Sequence, residues 1–253
     1  MRIVYGVNPV KELLQAGGEV SELWLQEGGV KAAPELERLG KALGATVRHA
    51  PRARLDKLSG SDRHQGAVAV VADFRYSELE DLVSVAAAAG KPPLLVVLDG
   101  VEDPHNLGAI IRSAQALGSH GVVIPRDRAV GVTPVVAKSS AGAIERCRVA
   151  RVTNISRSLE ELKAAGIWTV ALAADGERTL EQVDLAGPIA IVLGSEGEGV
   201  RPLVRRNCDF VARIPMKGGF ESLNVSATAA VALYEAARQR AAADQKRPSG
   251  FPT

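Results

Sequence analysis

The sequence predicts an α/β protein of two units, a small one followed by a larger one built on a mainly parallel sheet. Three observations point there. Strand-like and helix-like segments alternate almost throughout the chain. The strands of the second half are near-continuous Val/Ile/Leu runs, as in "LLVVLD" and "IAIVLG", the pattern of strands buried on both faces. Between the two halves lies "AAAAGKPP", which suits the end of a helix and a linker.

In the first unit, "IVYG" reads as a strand, followed by amphipathic "PVKELLQAG", the strand "ELWLQ", helical "PELERLGKALG" and the strand "TVRHA". A short helix, "RARLDKLS", leads to "GAVAVVADF", the clearest strand of the region. Arg48, Arg52, Arg54, Lys57, Arg63 and His64 lie close together in sequence, as either a solvated face or an RNA-binding one. Residues 1–74 form this unit and 75–92 the linker.

The second unit spans 93–241, leaving 242–253 as a disordered tail. Strands fall at "LLVVLDG", "GVVIP", "CRVARV", "WTVALAA", "IAIVLG" and "DFVARIP". Helices are expected at about 107–118, 133–143, 156–165, 198–206 and 223–241.

Composition sets limits on function. The chain has 253 residues, 46% hydrophobic and 24% charged, with a formal charge of +2 that neither demands nor excludes a nucleic-acid partner. With aromatics at 4%, the core must come from Val, Leu, Ile and Ala. Two cysteines without CxxC spacing or a nearby His argue against a disulfide scaffold and against a zinc site. The N-terminus does not read as a signal peptide, and no apolar run reaches the roughly 18 residues needed to span a bilayer. The expectation is a cytoplasmic protein without metal and without a membrane partner.

Three polar, glycine-bearing loops follow strands of the second unit, where parallel sheets bind ligands. In "DPHNLGAIIRSAQALG", Asn106 suits a helix N-cap, and Gly108 and Arg112 share a helical face. A glycine there would leave room over the guanidinium for an anionic ligand, while Leu107, Ile110, Ile111, Ala114 and Leu117 face the core. Equally, Asn106 can be a cap alone and Arg112 a surface charge.

"VLGSEGEGV" matches neither GxGxxG nor GxxxxGK[ST], so Rossmann and P-loop chemistry lack support. Its Gly194, Gly197 and Gly199 permit tight turns, with Glu196 among them. In "IPMKGGFESLNVSATAA", a glycine pair precedes an Ala-rich helix for which Ser222 suits the N-cap, with Asn224 in the first turn.

Taken together, "NLGAIIR", "VLGSEGEGV" and "IPMKGGFESLNVSATAA" resemble the three ordered motifs of the SPOUT methyltransferases, in the TrmH/RlmB branch of RNA ribose 2′-O-methyltransferases. "YGVNPVKELL" and "RHQGAVA" resemble the ribosomal-protein-like RNA-binding domain that RlmB-type enzymes carry. The resemblance implies a deep trefoil knot near the C-terminus and S-adenosylmethionine bound in a bent form. It places Gly194, Ile214, Met216, Ser222, Leu223 and Asn224 at the cofactor and makes Arg112, Asn106, Glu196, Ser222 and Asn224 catalytic candidates. RNA contacts would come from Arg52, Arg54, Arg63, His64 and Arg112, and a homodimer would complete the site.

Methyl transfer needs no protein nucleophile, because the ribose hydroxyl is one. The enzyme must align that oxygen and help remove its proton. Arginine stays protonated, so Arg112 suits phosphate binding and alkoxide stabilisation better than base catalysis.

The implied substrate is a guanosine of large-subunit (23S) rRNA, in the loop that contacts peptidyl-tRNA. A tRNA 2′-O-methyltransferase of the same branch is the near alternative, and a non-catalytic RNA-binding protein the distant one. An oxidoreductase fails for want of GxGxxG, and a conventional methyltransferase would carry its glycine loop after the first strand.

Overall fold

The computed structural model describes residues 1–29, 31–217 and 222–246. In chain order the elements are β1 (Arg2–Tyr5), α1 (Val7–Gln15), β2 (Val20–Gln26), α2 (Ala33–Ala42), β3 (Thr46–Ala50), α3 (Arg52–Ser59), β4 (Ala67–Val71) and α4 (Leu79–Ala88). Then follow β5 (Leu94–Asp99), α5 (Pro104–Ala116), β6 (Gly121–Pro125), α6 (Pro134–Ser139), β7 (Val149–Val152) and α7 (Ile155–Ala164). The last are β8 (Trp168–Leu172), β9 (Arg178–Thr179), β10 (Ile189–Gly194), α8 (Pro202–Arg206), β11 (Phe210–Arg213) and α9 (Val225–Lys246).

Two sheets result. The first is four-stranded in the order β1-β4-β2-β3, with β4 antiparallel to both neighbours and β2 parallel to β3. The second is seven-stranded, β7-β6-β5-β10-β8-β11-β9, and every pairing in it is parallel. β5 and β10 form its centre and are buried at every residue, as their unbroken apolar runs require. Their register aligns Gly194 with Asp99, so the loops leaving both strands start side by side at one sheet edge. That alignment places the candidate site.

Helix boundaries moved where caps and loops decide them. α5 begins at Pro104 because Asp103, not Asn106, is its N-cap, accepting from His105 N at 3.0 Å. α8 is only Pro202–Arg206, since the preceding glycines fold as a loop. The segment expected as one helix at 133–143 is α6 followed by a 3-10 turn at Ala143–Glu145. β9, two residues long, had no sequence signal. α9 runs through Lys246, so residues 242–246 are helical rather than disordered, as "AADQK" without Gly or Pro allows.

α4 packs Leu79 and Leu82 into the core of the larger sheet, where Leu82 lies against Gly121 of β6. The two units touch through a partly buried bidentate ion pair, with Arg2 Nη1 and Nη2 each 2.9 Å from a Glu145 carboxylate oxygen. Lys138 of α6 adds a bond to the Arg63 carbonyl at 2.9 Å and lies 4.8 Å from the Tyr5 ring centroid.

Candidate active site

The loops after β5, β10 and β11 meet at Glu196. Its Oε1 accepts from Asn106 Nδ2 at 3.0 Å and from Asn224 Nδ2 at 2.5 Å. Asn224 Nδ2 also donates to Asn106 Oδ1 at 3.1 Å. Asn106, the third residue of α5, is buried. No bond from a protein group to Glu196 Oε2 occurs among the described residues, which leaves that oxygen able to accept from a substrate hydroxyl.

Asn224, not Ser222, caps α9: its Oδ1 accepts from Ser226 N at 2.8 Å and Ala227 N at 3.4 Å. One side chain thus ends a helix with its carbonyl and binds Glu196 with its amide. The glycine pair preceding it lies outside the described residues.

The Glu196 loop is tightly folded. Gly199 N donates to Ser195 O at 3.0 Å, and a Cβ on Gly194 would collide with the backbone of Gly199 and Val200. Gly194 therefore lets the chain return across the end of β10, while Gly199 takes φ +66. Behind the loop, Asp99 is buried and accepts from Arg201 N at 2.9 Å and from its guanidinium Nε at 2.8 Å. That carboxylate, by hydrogen bonding first, holds the Arg201 guanidinium above its ordinary pKa.

Two cavities share a wall formed by Ser195, Glu196, Glu198 and Val225. One, of about 340 Å³, is lined by Gly194, Ile214, Met216, Ser222 and Leu223, with polar groups of the 195–199 loop opposite. Apolar side chains facing loop amides and carbonyls suit a ligand with a flat ring and a polar sugar, so these residues fit S-adenosylmethionine. Asn224 stands at the edge, in the Glu196 cluster rather than in the lining. The second cavity, of about 510 Å³, is lined by Asn106, Glu102, Asp103, Arg128 and Arg201 around the same wall.

Other expected residues fall elsewhere. Gly108 does not clear room over Arg112: it is buried, and a Cβ there would strike Ser139 of α6. Its role is close helix packing, which Ser139 Oγ secures by donating to Pro104 O at 3.1 Å. Arg112 is exposed on α5; among the described residues its guanidinium has no hydrogen bond or ion pair, and it lines neither cavity.

His64 is buried rather than presented to RNA. Its Nδ1 accepts from Gly66 N at 2.9 Å, so the tautomer carries its proton on Nε2, 3.0 Å from Asp56 Oδ1. Arg52, Arg54 and Arg63 are exposed on that unit. The sequence reading missed Asp99, Arg201 and Arg128; only "LD" at a strand end hinted at the first. Among the described residues no group of three or more His, Cys, Asp or Glu could hold a metal ion, and no helix is long and apolar enough to cross a membrane.

Comparison with known proteins gives the class. The model described as SpoU rRNA Methylase family matches residues 93–234, and one described as RNA 2'-O ribose methyltransferase substrate binding matches residues 3–77. The 23S rRNA (guanosine-2'-O-)-methyltransferase RlmB of Coxiella burnetii is 44% identical over 244 residues, 96% of this chain and 97% of its own. The crystal structure of the SpoU methyltransferase AviRb from Streptomyces viridochromogenes superposes with a TM-score of 0.82 at 30% identity, over 96% of this chain and 90% of that one. AviRb in complex with the cofactor AdoMet gives 0.81 at 28% identity, over 94% and 90%.

Fold and site together define an S-adenosylmethionine-dependent RNA methyltransferase on a parallel α/β sheet, preceded by a substrate-binding domain. The chain belongs to the SpoU rRNA methylase family, and its relatives include RlmB enzymes.

Proposed function

We propose that the chain methylates the ribose 2′-hydroxyl of one guanosine in large-subunit (23S) rRNA, in the loop that contacts peptidyl-tRNA. It acts as a cytoplasmic homodimer. The observation that carries this reading is the junction at Glu196, a carboxylate held by two asparagine amides in the wall between two cavities. Similarity to RlmB over nearly the whole chain supports rRNA over tRNA, as does a substrate-binding domain ahead of the catalytic sheet.

S-adenosylmethionine, when bound, supplies an electrophilic methyl group. Ile214, Met216 and Leu223 enclose its ring, and Gly194 and Ser222 offer polar contacts close to the backbone. Glu196 Oε2 accepts a hydrogen bond from the ribose hydroxyl, which fixes the oxygen's direction, and takes its proton as the oxygen gains the methyl group. Asn106 and Asn224 hold the other carboxylate oxygen still. Arg112 binds the RNA phosphate and stabilises the developing alkoxide.

Because Arg112 is exposed and lines neither of its own chain's cavities, it serves the partner's site. α5 packs against α9, where Val231 and Tyr234 are exposed apolar residues that such a dimer would cover. The path of the C-terminal chain is read as the family's trefoil knot. Support comes from β11, which lies beyond β8, while α9 returns past β10 to α5.

Mapping the modified nucleotide tests the reading. After incubation with unmodified 23S rRNA, alkaline hydrolysis should leave one protected bond, 3′ to a guanosine of that loop. Protection in tRNA instead would move the assignment to the sister activity.

A further inference from the structure

Outside the catalytic sheet, one cluster joins an aromatic ring to cations without matching counter-charge. Trp24, half-buried in β2, is Cα partner to Arg48 of β3. The Arg48 guanidinium lies 5.4 Å from the Trp24 ring centroid, and that of Arg54, on α3, lies 5.5 Å from it. Both arginines are exposed.

The ring is held in place. Trp24 Nε1 donates to Glu22 Oε2 at 2.8 Å, and the other oxygen of Glu22 meets Arg48 Nη2 at a loose 3.6 Å. The Arg54 guanidinium forms no hydrogen bond or ion pair among the described residues. Two cations thus converge on one ring with a single carboxylate between them, and that carboxylate also anchors the indole. Neighbouring Arg52 is tied to the Asp62 carbonyl and borders the cluster on α3.

We infer that Trp24, Arg48 and Arg54 form a binding site for one unpaired nucleotide of RNA. Its base stacks on the indole or on a guanidinium lying over it, and its phosphate is held by the two arginines. An aromatic face takes any base, while the guanidinium N–H groups match phosphate oxygens. A paired helix offers no free base face, so the site selects unpaired segments. The inference rests on the reading that this chain acts on RNA, but its test does not depend on methyl transfer.

The protein has only two tryptophans, so a full-length Trp168→Phe variant reports on Trp24 alone. It would be titrated with a stem-loop oligoribonucleotide and with a fully paired duplex of equal length. The expected result is quenching of Trp24 emission by the stem-loop and much less by the duplex. Trp24→Leu should weaken stem-loop binding about tenfold, a loss typical of one stacked base. Trp24→Phe should retain most of it, which separates stacking from misfolding, and Arg54→Ala should weaken binding without lowering the unfolding temperature. Unchanged affinity in Trp24→Leu, or equal quenching by both RNAs, would overturn the proposal and leave the cluster as a strut holding α3 on the sheet. RNA bound in this way without methyl transfer would instead count against the proposed function alone.

Discussion

Asn106 and Asn224 are 118 residues apart in the chain, yet both donate to the same oxygen of Glu196. Glu196 is thereby fixed at the wall between two cavities, with its second oxygen aimed at neither amide. The proposed mechanism depends on this arrangement.

Replacing Glu196 by Gln removes the charge while keeping an oxygen for the two amides. The expected outcome is a kcat lower by about 100-fold, the low end for a proton-handling group. Donor affinity, followed by calorimetry, should change little. A kcat close to that of the parent would show that the carboxylate does not handle the hydroxyl.

The cap of α9 separates two asparagine roles. Asn224→Ala should lose about 1 kcal/mol of stability through the cap and, in addition, nearly all methyl transfer. Ser222→Ala should leave the unfolding temperature in place, since Ser222 stands before the cap. A large drop for Ser222→Ala in thermal unfolding would contradict this account of the helix start.

Arg112 is predicted to act across a dimer. Arg112→Ala protein should bind donor normally and transfer no methyl groups, as should Glu196→Gln protein to within its residual rate. Co-folding the two variants should restore part of the activity, because mixed dimers contain one site with both native residues. Mixtures no more active than the separate variants would place Arg112 in its own chain's site.

Stability should fall on mild acidification through His120. Its Nδ1 accepts from Leu94 N at 3.0 Å, and burial, then the nearby Arg240 charge, hold its pKa below the ordinary 6.5. The unfolded chain therefore binds the proton more readily, so this contribution is complete above about 6.5 and declines as pH falls below that value. Unfolding temperatures from pH 8 to 5 should drop less steeply for His120→Gln than for the parent. Parallel curves would remove His120 as the cause.

Much of the architecture was legible because burial leaves local marks. The apolar runs of β5 and β10 announced a central parallel pair, and the glycine-bearing loops announced where the cavities lie. What could not be read is which groups meet. Asp99 looked like the end of a strand until Arg201 reached it from 102 residues away. Gly108 looked like space for a ligand, yet the space is filled by Ser139 of another helix. His64 looked like part of a basic face, yet one ring nitrogen is bound by Gly66 in its own loop and the other by Asp56 of α3. Each case turns on a partner distant in sequence or on the path of the backbone, which neither periodicity nor residue type reveals.

The most direct test is transfer of labelled methyl groups from S-adenosylmethionine to protein-free 23S rRNA, to tRNA and to intact large subunits, with Arg112→Ala as control. The account predicts incorporation into rRNA alone, at one guanosine ribose, and none with the variant. Incorporation into tRNA alone, or equal incorporation with the variant, would contradict it.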